Sequence, residues 1–111
     1  MNIGKIISYQ NGGGMKRSKS YREVLLERLK DPSEAVAYLN AALEDEDTRV
    51  FLVALRDIVD ANGGISMLAK ETELNRETLY RTLSTKGNPT IENLILMLDA
   101  LGFELQVKEA I

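Results

Sequence analysis

Arg76, Glu77, Tyr80, Arg81 and Ser84 sit so that the last four follow the first by 1, 4, 5 and 8 residues. On an α-helix those offsets fall along one polar stripe. Leu79 and Leu83, four apart, share the opposite face with Thr82. A short helix that is polar on one side and anchored by leucines on the other has the shape that enters a DNA major groove. The competing reading is a solvated surface whose charges pair internally, with Glu77 meeting Arg81 four residues on.

Catalysis is poorly served by the residue inventory. The 111-residue chain has no His and no Cys. Thiol nucleophiles, Ser-His triads and ordinary zinc sites are therefore excluded. The remaining carboxylates, lysines and hydroxyls form no arrangement that calls for an enzyme, and no cofactor is expected. The acidic run at 44–47 reads as a solvated helix end, because consecutive carboxylates cannot all aim at one metal ion.

The formal net charge is −3, but it is unevenly spread. Residues 1–30 carry a net +5, 31–60 a net −6, 61–90 a net +1 and 91–111 a net −3. Most of the acid thus lies away from the polar stripe. Lys16, Arg17, Lys19 and Arg22 make a basic arm that reads either as a nucleic-acid contact or as a solubilising tail. No apolar run approaches the ~18 residues a membrane span needs. The N-terminal stretch lacks the apolar core of a signal peptide, and a cytoplasmic setting is expected.

The elements that must hold the stripe follow from caps and periodicity. Asn11-Gly12-Gly13-Gly14 breaks the chain, and residues 1–14 read as an upstream extension or as a short strand around 3–9. Val24, Leu25 and Leu29 mark a first helix. Asp31-Pro32-Ser33-Glu34 signals a second, with Asp31 as N-cap, Pro32 at N1 and Glu34 completing a capping box. Its apolar face is Ala35, Tyr38, Leu39 and Ala42. Asp47 or Thr48 caps a third helix built on Val50, Leu52, Val53, Leu55, Ile58 and Val59, ended by Asn62-Gly63-Gly64. Ser66 is the expected N-cap of a short fourth helix. Thr72, Glu73 and Leu74 form a turn, and Asn75 caps the helix that carries the stripe. Such a pair of helices is a helix-turn-helix. Thr90 caps the following helix, and Gly102 ends it. Phe103, Leu105 and Val107 then alternate with polar residues in a strand pattern. That strand needs a ladder partner, either residues 3–9 or a second subunit.

Residues 48–102 resemble the Cro/C1-type (XRE family) helix-turn-helix proteins. Ala69 stands where that family has a small residue for close helix contact, and Leu79 at the buried aliphatic position of the recognition helix. The longer stretch "ANGGISMLAKETELNRETLYRTLSTKGNPTIENLILMLDALGFELQV" is more similar to the phage-related addiction-module antidotes, HigA-like antitoxins. The segment "KDPSEAVAYLNAALED" also looks like that subgroup. One departure is Glu73, where the family has a Gly in a left-handed turn.

The resemblance implies an all-α, five-helix, lambda repressor-like domain with an N-terminal helical extension and a short C-terminal strand. The expected divisions are an arm at 1–20, N-terminal helices at 21–47, the helix-turn-helix domain at 48–102 and a strand or tail at 103–111. By the same resemblance Asn75, Arg76, Glu77 and Arg81 take the base-facing positions. Arg76 and Arg81 would grip guanine O6/N7, and Glu77 would accept from cytosine N4. Ser66, Lys70, Tyr80 and Lys86 would meet phosphates, with a thymine methyl as the alternative for Tyr80.

The implied partners are operator DNA, a second copy of the chain and a small basic toxin of the RelE/HigB-like class. Tyr38, Leu39 and Leu43 are candidate toxin contacts, with core packing as the alternative. The run 94–98, apolar all round, suggests an intersubunit surface of Leu94, Leu96, Met97, Phe103 and Leu105, with a central core helix as the alternative. Two functional alternatives stand beside the antitoxin reading. One is a phage-type repressor without a toxin. The other is an interaction module that keeps the helix-turn-helix only as scaffold.

Overall fold

All the helices but α4 (Gly64–Thr72) begin where a short polar side chain occupies free backbone N–H groups. The structure is a computed structural model that describes residues 19–111. In α1 (Tyr21–Arg28) the Ser20 hydroxyl accepts from the Glu23 N–H at 3.1 Å. The Glu23 carboxylate accepts from the Ser20 N–H at 2.8 Å, which completes a capping box. For α2 (Pro32–Leu43), Asp31 accepts from the Ser33 N–H at 2.9 Å, and Pro32 sits at the helix start. The expected reciprocal bond from Glu34 is replaced. The Asp31 N–H donates instead to the Arg28 carbonyl at 3.2 Å, and Glu34 pairs with Arg28 at 3.4 Å.

Asp47, not Thr48, caps α3 (Thr48–Ala61). Two of the acidic residues at 44–47 thus terminate helices, Glu44 closing α2 and Asp47 opening α3. The Arg49 side chain, followed by the Arg49 N–H, lowers the Asp47 carboxyl to about 2. The central helix α3 buries Leu52, Ala54, Leu55, Asp57, Ile58, Val59 and Ala61. It packs against α1, α2 and α4 (Gly64–Thr72), and α4 in turn packs against α5 (Arg76–Thr82) and α6 (Ile91–Ala100). One core of buried aliphatic side chains runs from Leu25 to Leu98.

Ser66 does not cap α4. The helix begins three residues earlier, with Gly63 as N-cap at φ 112° and Gly64 at φ 77°. A Cβ on Gly63 would approach the Met67 Cβ to 2.7 Å. The glycines that end α3 therefore also open α4, and Ser66 lies within its first turn.

The five-helix count and the C-terminal strand are both corrected. Six helices form among the described residues, four of them within 48–102, and none of those residues is in a strand. The reason lies at the end of α6. The Gly102 N–H donates to the Asp99 carbonyl at 2.9 Å, and the Phe103 N–H donates to the Leu98 carbonyl at 2.8 Å. With Gly102 at φ 85°, this is a Schellman turn. It lays Phe103 against the core, while Leu105 and Val107 stay exposed. The alternating pattern finds no neighbouring strand among the described residues, and without a ladder it is not a strand. Residues 3–9, named as a possible partner, lie outside the described residues, as do the 1–14 extension and Lys16 and Arg17 of the basic arm. Among the described residues no helix is long and apolar enough to cross a membrane.

Candidate nucleic-acid interface

Leu79 and Leu68, both fully buried, lock α5 onto α4. Leu83 and Thr82 are buried beside them, and Leu74 closes the turn. The Thr82 hydroxyl donates to the Thr78 carbonyl within α5. Asn75 caps α5 by accepting from the Thr78 N–H at 2.7 Å.

Glu73 adopts the left-handed conformation expected of the turn, at φ 64° and ψ 12°. It is the only non-glycine residue with positive φ among those described. Its N–H donates to the Ala69 carbonyl at 3.0 Å. Thr72 supports the same turn from both sides. Its hydroxyl donates to the Leu68 carbonyl at 2.7 Å and accepts from the Leu74 N–H at 3.2 Å. That pair of bonds holds the geometry where the usual glycine is missing.

Asn75, Arg76, Glu77, Tyr80 and Arg81 are exposed. Among the described residues, neither Arg76, Glu77 nor Arg81 takes part in an ion pair, and the Glu77–Arg81 bridge of the internally paired reading is not formed. Two guanidinium groups and a carboxylate therefore stand open to a ligand from a helix whose other side is fixed.

Ser66 and Lys70 are exposed one turn apart on α4. Lys86 lies in the loop after α5, where the Ser84 hydroxyl donates to the Arg81 carbonyl at 2.8 Å and the Gly87 N–H donates to the Ser84 carbonyl at 2.8 Å. A Cβ at Gly87 would fall 1.8 Å from the Thr82 carbonyl oxygen, so only glycine lets this loop close on α5. Arg81, Lys86 and Asn93 line a polar cleft between α5 and the start of α6.

Tyr80 is half exposed and leads into a network that no local sequence pattern announces. The Arg56 guanidinium lies 5.3 Å from the centre of its ring. Arg56 Nε also pairs with Asp60 at 2.9 Å. The other oxygen of Asp60 takes Arg22 of α1 at 2.7 Å, and Arg22 reaches the buried Asp57 at 3.0 Å. Arg22 is thus part of the folded body, not of a free basic arm. The Tyr38 hydroxyl donates to the second Asp57 oxygen at 2.7 Å. Hydrogen bonding to Asp57 raises the Arg22 guanidinium above its ordinary value. Burial, followed by the Asp57 carboxylate, pushes the Tyr38 phenol up to about 12. The one readable hint was Arg56 and Asp60 spaced four apart.

The other candidate contacts divide by burial. Leu39 is in the core, and Tyr38 is half-buried with its hydroxyl committed, which leaves Leu43 exposed in a groove shared with Val36, Phe51 and Phe103. On α6, Met97 is fully buried and belongs to the core, not to any surface. Leu94 and Phe103 are half-buried against that core. Leu96 and Leu105 are exposed, together with Ile91 and Ile95, which sequence reasoning passed over although they lie four apart.

A fixed aliphatic back, a tight turn and an unpaired polar front define a helix-turn-helix protein. The chain matches the family of probable addiction module antidote proteins over residues 21–109 and belongs to it. This is the subgroup that the sequence resembles, and it is not a family of enzymes. A relative from Haemophilus influenzae (strain ATCC 51907 / DSM 11121 / KW20 / Rd), described as an uncharacterized protein, is 34% identical over 84 residues. The similarity covers 76% of this chain and 86% of that one. No solved structure matches the chain.

Proposed function

We propose that this addiction-module antidote is a cytoplasmic, sequence-specific DNA reader that represses its own operon as a homodimer and neutralises a small basic toxin of the RelE/HigB-like class. The observation that carries the DNA half is the state of α5. Arg76, Glu77 and Arg81 are exposed and unpaired on a helix pinned by Leu79. In a major groove the two guanidinium groups grip guanine O6/N7, Glu77 accepts from cytosine N4, and Asn75 lies beside them at the helix start. Ser66, Lys70, Tyr80 and Lys86 take the flanking phosphates. A carboxylate in this position repels the phosphate backbone, so it favours selectivity over general affinity.

A net charge of −3 makes nonspecific attraction to DNA weak. Two reading heads on two half-sites compensate for that. The exposed apolar residues of α6 and the tail, Leu96 and Leu105 with Ile91 and Ile95, are the surface available for pairing, flanked by Leu94 and Phe103. The net −6 of residues 31–60 attracts a basic partner, and Leu43 with Val36 in the same groove offers the apolar contact.

The test is a gel-shift with a duplex taken from immediately upstream of the coding region. Replacing both Arg76 and Arg81 by Ala should abolish the specific shift, since each bidentate pair is worth roughly 1–3 kcal/mol of discrimination. Undiminished affinity in that variant, with partner binding intact, would leave only a scaffold. Sedimentation at micromolar concentration tests the dimer, and co-purification with the product of the neighbouring reading frame tests the toxin.

A further inference from the structure

We infer that Arg56 is a positioning residue for Tyr80, and that through Asp60 and Arg22 it ties the DNA affinity of α5 to the seating of α1. The inference rests on the DNA-binding reading proposed above. Its basis is the continuity of the contacts. Arg22 of α1 and Arg56 of α3 hold the two oxygens of a single carboxylate, Asp60, at 2.7 and 2.9 Å. With Nε fixed by Asp60, the plane of the Arg56 guanidinium has one remaining face partner, the Tyr80 ring at 5.3 Å.

Cation–π attraction over an aromatic face orients both groups. The ring could otherwise take other rotamers, because it is 51% exposed and no hydrogen bond of its hydroxyl is made among the described residues. Arg81, a proposed base contact, is the next residue on the same short helix. A fixed Tyr80 therefore fixes where one phosphate-side contact of the reading helix lies.

The link has a definite sign, and it is reciprocal. Asp60 is only 23% exposed at its side chain, so if Arg22 leaves, Arg56 is its one remaining ion-pair partner among the described residues, with Lys19 and Lys30 further along the same groove. Arg56 is then drawn toward Asp60 and loosened from the ring. Anything that lifts α1 from α3, including a protein bound across the N-terminal helices, thereby weakens the hold on Tyr80. The other groups facing this cluster are Asp57, which shares Arg22, Tyr38, which is bound to Asp57, and Lys19, Glu23, Glu27 and Lys30, which line the groove beside Asp60.

The experiment combines resonances of the free protein with a double-mutant cycle on DNA. In the free full chain, Arg56→Ala should shift the Tyr80 ring signals while the Leu79 and Leu83 methyl signals stay in place. On the upstream duplex it should weaken binding about threefold to tenfold, the span of a partly desolvated cation–π contact. The loss should vanish in a Tyr80→Ala background, and the salt dependence should keep its slope. Arg22→Gln should act in the same direction but more weakly, and should also vanish in that background, whereas in Tyr80→Phe, which keeps the ring and removes the phosphate-directed hydroxyl, Arg56→Ala should still shift the ring signals but no longer weaken DNA binding. Unmoved Tyr80 signals overturn the inference, as does a loss that persists in Tyr80→Ala. A salt slope lowered by about one also overturns it, because it would make Arg56 a direct phosphate contact. If the unmodified protein fails to shift the duplex while its Tyr80 signals still respond to Arg56→Ala, the DNA-binding reading is what has failed.

Discussion

Replacing Glu73 by Gly should stabilise this protein, although it removes a side chain and adds flexibility. Glu73 sits at φ 64°, ψ 12°, where its Cβ crowds the backbone. For a non-glycine residue that conformation costs about 1–2 kcal/mol. Glycine removes the cost but enlarges the unfolded ensemble, which returns about 0.4–1 kcal/mol. The net gain is about 0.5–1 kcal/mol. The carboxylate also stands at the C-terminal end of α4, where the helix dipole disfavours negative charge, so its loss acts in the same direction. With a urea slope of about 1.5 kcal/mol per molar, the midpoint should rise by roughly 0.3–0.7 M at unchanged slope.

Glu73→Ala is the informative companion. It deletes the charge but keeps the Cβ in the left-handed region, so it should capture only the dipole part. Circular dichroism at 222 nm follows both transitions in parallel. If the glycine variant is no more stable than the alanine variant, the strain argument is wrong, and Thr72 has removed the penalty by reshaping the turn.

Three further outcomes follow from the same geometry. Asp57→Ala should cost about 1–3 kcal/mol in thermal or urea unfolding, because it leaves the half-buried Tyr38 hydroxyl without its acceptor while Arg22 keeps Asp60; Asp57→Asn, which still accepts from Tyr38, should cost less. The Asp47 cap is depressed from 3.8 to about 2. Its contribution is thus fully present above the unfolded value and fades as pH falls through about 2, and Asp47→Asn should flatten that part of the acid-unfolding curve. Gly87→Ala should destabilise by about 1–3 kcal/mol, because its Cβ would overlap the Thr82 carbonyl; the amide signals of the 84–90 loop should move with it.

The helices were readable wherever a cap and an apolar period agreed. Asp31-Pro32, Asn75 and Thr90 each open a helix as their side chains suggest, and the division of α5 into a buried and an exposed side follows its residue spacing. Ser66 misled because two adjacent glycines let one helix end and the next begin without an intervening polar cap. The tail misled because alternation is only a strand signal when a neighbour exists, and the Schellman turn diverts Phe103 into the core instead. For a run such as 94–98, apolarity on every side says nothing about which residue faces inward; Met97 takes the core alternative of that run. The Arg22–Asp57–Asp60–Arg56–Tyr80 network joins residues up to 58 positions apart, beyond any local pattern.

The junction of α1 and α3 has a chemical corollary. The Asn62 amide donates to the Ile58 carbonyl at 2.8 Å and to the Leu29 carbonyl at 3.3 Å, and the next residue is Gly63. An Asn-Gly pair loses its amide when the following backbone nitrogen attacks the side-chain carbonyl carbon. Here the amide nitrogen is held by two helix ends, so that attack requires the junction to open first. Once hydrolysed, the site presents a carboxylate to two carbonyl oxygens and cannot close again on the same terms. Deamidation at Asn62 should therefore accumulate with the time α1 spends parted from α3, read as aspartate and isoaspartate in a peptide map that separates it from the Asn11-Gly12 pair. For a protein whose proposed partner engages the N-terminal helices, that makes ageing and use chemically distinguishable from rest.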